Sequence, residues 1–204
     1  MIDRTLPYIP VLMIKSDMDS IPDFPLPEEY EFVFMQDAGF IQAWDDIQID
    51  SEQMENRETL KGLFLREFGD RPEDWKDRIL FVRHKETNAL IATASLWFGN
   101  PFGCEMNRIH WVATHKAHQN KGIARAMLSR LLKVYNELGQ TGGVYLFTQT
   151  FSYAAVGVYE RMGFAPYLGE KPVNWQLEDY ENKNPLAWRL IYEKLNAFRS
   201  RQKT

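Results

Sequence analysis

The sequence predicts a mixed α/β fold, and three observations carry that expectation. Three apolar, β-rich segments follow one another between residues 78 and 114 with turn residues between them. A long amphipathic segment comes next, and a strand-like and a short helical segment then repeat the alternation. At 204 residues, 45% of them hydrophobic, the chain carries enough apolar material to bury a sizeable core without disulfide staples, so one domain over 1–204 is the simpler expectation.

The elements can be justified in order. Residues 1–30 are punctuated by Pro7, Pro10, Pro22, Pro25 and Pro27, which suits an extended N-terminal arm or a first strand followed by a loop. Tyr30 to Gln36 has the aromatic and β-branched content of a strand. Phe40 to Gln48 reads as a helix; so does Ser51 to Phe68, with Ser51 as cap and Leu60, Phe64 and Phe68 four apart, until Gly69-Asp70-Arg71-Pro72 breaks the pattern. Arg78 to His84 and Ala89 to Phe98, joined by Lys85-Glu86-Thr87-Asn88, form a hairpin, and Glu105 to Thr114 adds a third strand. From Lys121 to Leu138 the positions Ile123, Met127, Leu131 and Val134 line one side and Lys121, Arg125, Ser129 and Lys133 the other.

Val144 to Thr150 is then a strand and Tyr153 to Met162 a helix, with Gly163 where a left-handed stop is expected. Short strands are expected near Phe164 to Leu168 and Val173 to Leu177. Asn184-Pro185 reads as the cap and first turn of a C-terminal helix over 184–200. With Trp188, Tyr192 and Phe198, that helix either closes its own core, as amphipathic helices commonly do, or is a candidate cap on the acceptor site or homodimer contact.

Composition narrows the function classes. The lone Cys104 cannot form an intramolecular disulfide, and no early apolar run approaches a spanning helix or a signal peptide, so a cytoplasmic protein with no membrane partner is expected. A net charge of −4 argues against general nucleic-acid binding. The charge is unevenly distributed. Between Asp17 and Glu58 there are 13 acidic residues and one basic residue, Arg57; from His110 to Asn136 there are five Lys and Arg, three histidines and no acid. Either these are two solvated faces, or one segment meets an anion and the other a cation.

The turn Gln119-Asn120-Lys121-Gly122-Ile123-Ala124-Arg125 lies between a strand and the long helix. The opening N–H groups of a helix have no internal partners and carry partial positive charge, so such a turn suits a phosphate, and small residues at Gly122 and Ala124 let one approach the backbone. A packing turn has the same composition. The segment is neither a Walker loop nor a Gly-x-Gly-x-x-Gly dinucleotide fingerprint.

Val112 to Ala124 nevertheless resembles motif A of the GCN5-related N-acetyltransferases, whose pattern is Gln/Arg-x-x-Gly-x-Gly/Ala. Ser152 to Phe164 is similar to a second motif of that family, Asn-x-x-Ala-x-x-x-Tyr-x-x-x-Gly-Phe. The resemblance is strongest from about Arg78 to Phe164. It implies a central, mostly antiparallel, twisted sheet flanked by helices and splayed where acetyl-CoA binds as co-substrate, between the strands ending near Thr114 and Thr150. Gln119, Asn120, Lys121, Gly122, Ile123, Ala124 and Arg125 would hold the pyrophosphate, and Val112, Ala113 and Thr114 the pantetheine. Ser152, Ala155 and Tyr159 would complete the cofactor site, although Ser152 stands where the family has asparagine. No metal is implied.

The resemblance also implies that Tyr159 protonates the departing thiolate and that the N–H of Val112 faces the thioester oxygen. Some relatives carry a glutamate base where this chain has Arg108, and others carry a histidine at the position of His110. An imidazole is suited to accept a proton near neutral pH, which makes His110 the first candidate and Glu105 the second. The acceptor is expected to be a primary amine. Asp37, Asp45, Asp46, Asp50, Glu52, Glu55 and Glu58, on helices that wall the acceptor side in such proteins, suggest a small cationic or lysine-type amine. The alternative is an acyl-CoA-binding sensor or interaction module that kept the fold and lost turnover.

Overall fold

The computed structural model describes residues 3–201. The first half of the chain supplies β1 (Pro10–Lys15), β2 (Tyr30–Phe34), α1 (Ile41–Asp50), α2 (Arg57–Leu60), α3 (Leu63–Phe68), α4 (Trp75–Arg78), β3 (Ile79–His84) and β4 (Leu90–Gly99). The second half supplies β5 (Met106–Thr114), α5 (Ile123–Glu137), β6 (Val144–Gln149), α6 (Tyr153–Arg161), β7 (Ala165–Pro166) and α7 (Tyr180–Arg201). This is the mixed α/β class expected from the sequence. The described residues form two compact units, one of residues 3–22, 98–108 and 141–201, the other of Asp23–Trp97 and Ile109–Gln140.

In the unit that begins at Asp23 the strand order is β2-β3-β4-β5. The pairs β2/β3 and β3/β4 are antiparallel, with Phe32 opposite Val82 and Leu80 opposite Ala94, and an irregularity between Val82 and Arg83. α5 lays Met127, Leu128, Leu131 and Leu132 inward, all fully buried. A run of aromatic rings forms a second part of this core. Trp44 meets Phe64 edge-on at 5.4 Å and Phe68 at 6.1 Å, and Phe68 meets Trp97 at 5.0 Å.

In the other unit β1 lies between β6 and β7, antiparallel to both, with Leu12 opposite Phe147 and Ile14 opposite Ala165. Helices α6 and α7 approach closely: a Cβ at Gly157 would lie 3.0 Å from Leu195 Cδ1. Glu160 on α6 accepts hydrogen bonds from Tyr192 Oη–H and Arg199, both on α7. Ala187, Trp188, Ile191 and Leu195 are buried, so this face of the C-terminal helix closes the core of its own unit.

Three sequence expectations need correction. The single helix over Ser51–Phe68 is absent. Ser51 instead closes α1, its N–H bonding Ile47 C=O and its hydroxyl donating to Gln48 C=O, while Glu52 is left-handed at φ 61°. Asn56 then caps α2 by accepting the Thr59 N–H, and Gly62, at φ 68°, turns the chain into α3. Leu60, Phe64 and Phe68 remain buried, so the apolar spacing is realised across a break.

The C-terminal helix starts one turn earlier than expected, at Tyr180, with Pro185 inside it. Asn184 does not cap: its buried amide donates to Tyr167 C=O and Tyr180 Oη. Val173 to Leu177 is not a strand. Its Trp175 N–H turns back to Pro172 C=O, and the indole packs on Phe147.

Trp44 is fully buried at the centre of the aromatic run. Trp44→Ala is expected to cost about 3–5 kcal/mol of unfolding free energy, read from a urea midpoint.

Candidate active site

The site is built first from a local departure within β5. Strand alternation sends consecutive side chains to opposite faces, yet His110 and Trp111 both reach the same carboxylate. His110 Nε2 lies 2.7 Å from Glu67 Oε2 on α3, and the Trp111 indole N–H donates to that oxygen at 3.4 Å. The cause is the Trp111 backbone, which sits at φ 50° in the left-handed region. For a bulky side chain this conformation is a true outlier. Packing holds it there, with the indole 5.2 Å from the Trp44 ring and 5.3 Å from the His110 ring. The His110 carbonyl is fixed from β4 by the Ser95 hydroxyl. His110 and Glu67 both remain partly open to solvent, with side-chain exposures of 20% and 27%.

The turn after β5 is tied down by one bond to β4 and two within the turn. His115 N–H donates to Ile91 C=O, Gln119 N–H to Lys116 C=O, and the Gln119 side-chain amide to Thr114 C=O. Asn120 and Gly122 are both left-handed, at φ 63° and 83°. These two residues aim the chain into α5. The first helical bond runs from Ala126 N–H to Gly122 C=O, and no side chain caps the helix. The N–H groups of Ile123, Ala124 and Arg125 therefore precede the intrahelical ladder. A side chain at Gly122 would be strained by φ and would crowd the Arg125 guanidinium at 3.2 Å.

A match to the acetyltransferase (GNAT) family covers residues 23–164, which is most of the chain and includes both β5 and the turn. The chain belongs to the GNAT acetyltransferase family. Solved structures agree on the fold. A GCN5-related N-acetyltransferase from Sphaerobacter thermophilus is similar, with TM-score 0.60 and 18% identity over 78% of this chain and 50% of that one. A putative acetyltransferase from Pyrococcus horikoshii gives 0.53 and 18% over 71% and 46%. A tandem GNAT protein from the clavulanic acid biosynthesis pathway gives 0.54 and 16% over 81% and 52%. The chain thus spans about half the length of these solved structures. No curated protein matches the sequence.

The cations near the 119–125 turn each have a partner. Lys116 Nζ bonds Glu52 Oε1 at 2.7 Å, and its backbone N–H bonds Asp50 Oδ2, which also lies 3.1 Å from His115 Nδ1. Lys121 donates to Tyr30 Oη, which lies 2.9 Å from His118 Nδ1. Arg125 stacks over Phe24 at 5.1 Å. Burial first and the nearby Lys121 charge second hold His118 below the ordinary histidine value.

Several members of the acidic run are committed locally. Asp37 caps a short turn through Gly39 N–H, Asp46 pairs with Arg57, and Asp50 and Glu52 engage the 115–116 segment. Asp45 differs: burial raises its pKa, and its Oδ1 is shut from solvent with no hydrogen-bond partner among the described residues.

Ser152, Ala155 and Tyr159 lie in the other unit, on or just before α6. Ser152 Oγ accepts from the Gln149 side-chain amide and makes no cap bond. Burial pushes the Tyr159 phenol up to about 12. Glu105 is exposed just ahead of β5. Among the described residues no three His, Cys, Asp or Glu side chains group around a metal position, and no helix is long and apolar enough to cross a membrane.

Sequence reasoning missed Glu67. It follows Phe64 by three residues and precedes Phe68, which puts it at the edge of the buried stripe, the one signal available. For the turn, His118 is expected to titrate below 6.5 by NMR, and Lys121→Ala to move it upward by removing the adjacent charge.

Proposed function

We propose that this GNAT chain transfers the acetyl group of acetyl-CoA to a primary amine by direct attack in a ternary complex. The observation that carries the reading is the turn from Gln119 to Arg125. Two left-handed residues and an uncapped fifteen-residue helix leave backbone donors directed away from the ladder, beside Lys121 and Arg125. The pyrophosphate of acetyl-CoA suits these donors, and pantetheine follows Val112, Ala113 and Thr114. Gln119 contributes through position alone, since its N–H is spent on Lys116.

In the reaction, His110 takes one proton from the acceptor ammonium and passes it to solvent. The nitrogen lone pair forms the C–N bond at the thioester carbon, whose oxygen gathers charge opposite the Val112 N–H. A strand irregularity such as the one at Trp111 locally disrupts ladder bonding, which supports that role for the next N–H. The C–S bond then breaks, and the second nitrogen proton reaches sulfur by way of Tyr159.

Burial pushes the Tyr159 phenol up to about 12, so it enters the reaction with its proton in place for the departing thiolate.

For the acceptor, Asp45 supports a cationic amine. It belongs to the acidic 37–58 run, whose negative charge concentrates cations nearby, although its own Oδ1 is shut from solvent. The remaining acids contribute less to this reading than their number suggests.

Two outcomes test the proposal. Calorimetric titration should show saturable acetyl-CoA and CoA binding, no response to ATP, and loss of both signals in Gly122→Glu; a folded wild-type protein that binds neither thioester nor CoA would end the acyl-transfer reading. Tyr159→Phe should lose thiol release with spermidine, kanamycin or a lysine peptide as acceptor on the order of 10²-fold while keeping acetyl-CoA affinity. Wild-type binding without turnover on any of the amines would favour the sensor reading instead.

A further inference from the structure

Glu67 has no part in the chemistry above, yet its Oε2 lies 2.7 Å from His110 Nε2. We propose that Glu67 is the positioning residue for the base: it fixes His110 in the Nε2–H tautomer, raises its basicity, and so makes Nδ1 the atom that accepts the acceptor's proton. This rests on the acyl-transfer reading and adds to it a residue on α3, outside both sequence motifs.

The argument starts from donor and acceptor inventory. An ionised carboxylate can only accept, so the 2.7 Å contact from Glu67 Oε2 to His110 Nε2 requires the hydrogen to sit on Nε2. Neutral imidazole then carries its basic lone pair on Nδ1. The 2.7 Å separation lies in the range of charge-assisted bonds, which strengthen as the ring becomes imidazolium. A proton taken at Nδ1 is thus stabilised through the opposite side of the ring.

The surroundings are organised to keep this pair in place. The Trp111 indole N–H approaches the same Oε2 from a second direction, at 3.4 Å. Phe68, next to Glu67 on α3, places its ring 6.0 Å from the imidazole, and the Ser95 hydroxyl pins the His110 carbonyl. Each element packed around the ring contributes: α3 gives Glu67 and Phe68, β4 gives Ser95, and β5 gives Trp111. The charged groups to consider are the Glu67 carboxylate and, two residues earlier on the same strand, the Arg108 guanidinium. Of these, Glu67 is the one in contact with the ring and favours its protonation, so a change at Glu67 isolates its share.

A carboxylate–imidazole pair also occurs as plain fold support, and the two roles predict different readouts. In protein labelled with 15N-histidine, signals assigned with His110→Asn should show His110 as the Nε2–H tautomer. In Glu67→Gln it should titrate about one pH unit lower, since a neighbouring charge worth one or more such units has been removed. With spermidine as probe acceptor, the acid limb of the kcat profile should move down by the same amount, and kcat should fall about tenfold while the KM for acetyl-CoA stays constant. Glu67→Asp should restore part of both effects, and Glu67→Gln should add nothing in a His110→Asn background.

An Nδ1–H tautomer, or a His110 titration indifferent to Glu67→Gln, overturns the proposal. So does a kcat profile that stays fixed while the histidine titration moves. If acetyl-CoA does not bind the wild-type protein, the acyl-transfer reading fails first, and any tautomer result then describes a structural pair only.

Discussion

The arrangement at β5 depends on one residue held where its backbone does not want to be. A non-glycine residue in the left-handed region costs on the order of 1–3 kcal/mol, and Trp111 sits there inside a strand. The surroundings that hold it are specific: the Trp44 ring on one side and the Glu67 carboxylate at the indole nitrogen. In exchange, two neighbouring side chains converge on one face of α3, and the strand loses its regularity at the residue before Val112. The aromatic run of Trp44, Phe64, Phe68 and Trp97 is thus both core and the support for the most irregular point in the sheet.

Charge is used more locally than the linear sequence suggests. The acidic stretch and the basic stretch look like opposing fields when written out, but a good part of each is consumed by the other. Lys116 meets Asp50 and Glu52, Lys133 meets Asp23, and Arg57 stays within the acidic stretch at Asp46. Exposed pairs of this kind contribute little to stability. Their effect is to set geometry, holding the chain between β5 and α5 in place. What these pairs leave uncommitted is narrower: the backbone N–H groups that open α5 ahead of its hydrogen-bond ladder.

The sequence showed regular elements well because their signals are periodic. The strands from Ile79 to Thr114, the stripe of α5 and the stop at Gly163, at φ 87°, follow directly from spacing and from glycine's freedom at positive φ. The turn into α5 was legible for the same reason, a small residue at the start of an amphipathic run. Features decided by distant partners were not. Nothing in the string marks Trp111 as left-handed, since an aromatic residue is an ordinary strand former. Glu52 and Lys116 are 64 residues apart, and Glu67 and His110 are 43 apart. Caps compete with periodicity in the 51–68 segment, where Asn56 and Gly62 override an apolar spacing that would suit one long helix.

The seat of α6 has a consequence for where the family's common core can be cut. The family match ends at residue 164, whereas Gly157 is fitted against Leu195 and Glu160 is gripped by Tyr192 and Arg199. Tyr159 lies between those two anchoring residues. The 23–164 segment therefore does not by itself hold α6 in place: a chain cut at 164 would lose the Leu195 contact at Gly157 and both donors to Glu160, and the short helix between them would have to find its seat without α7.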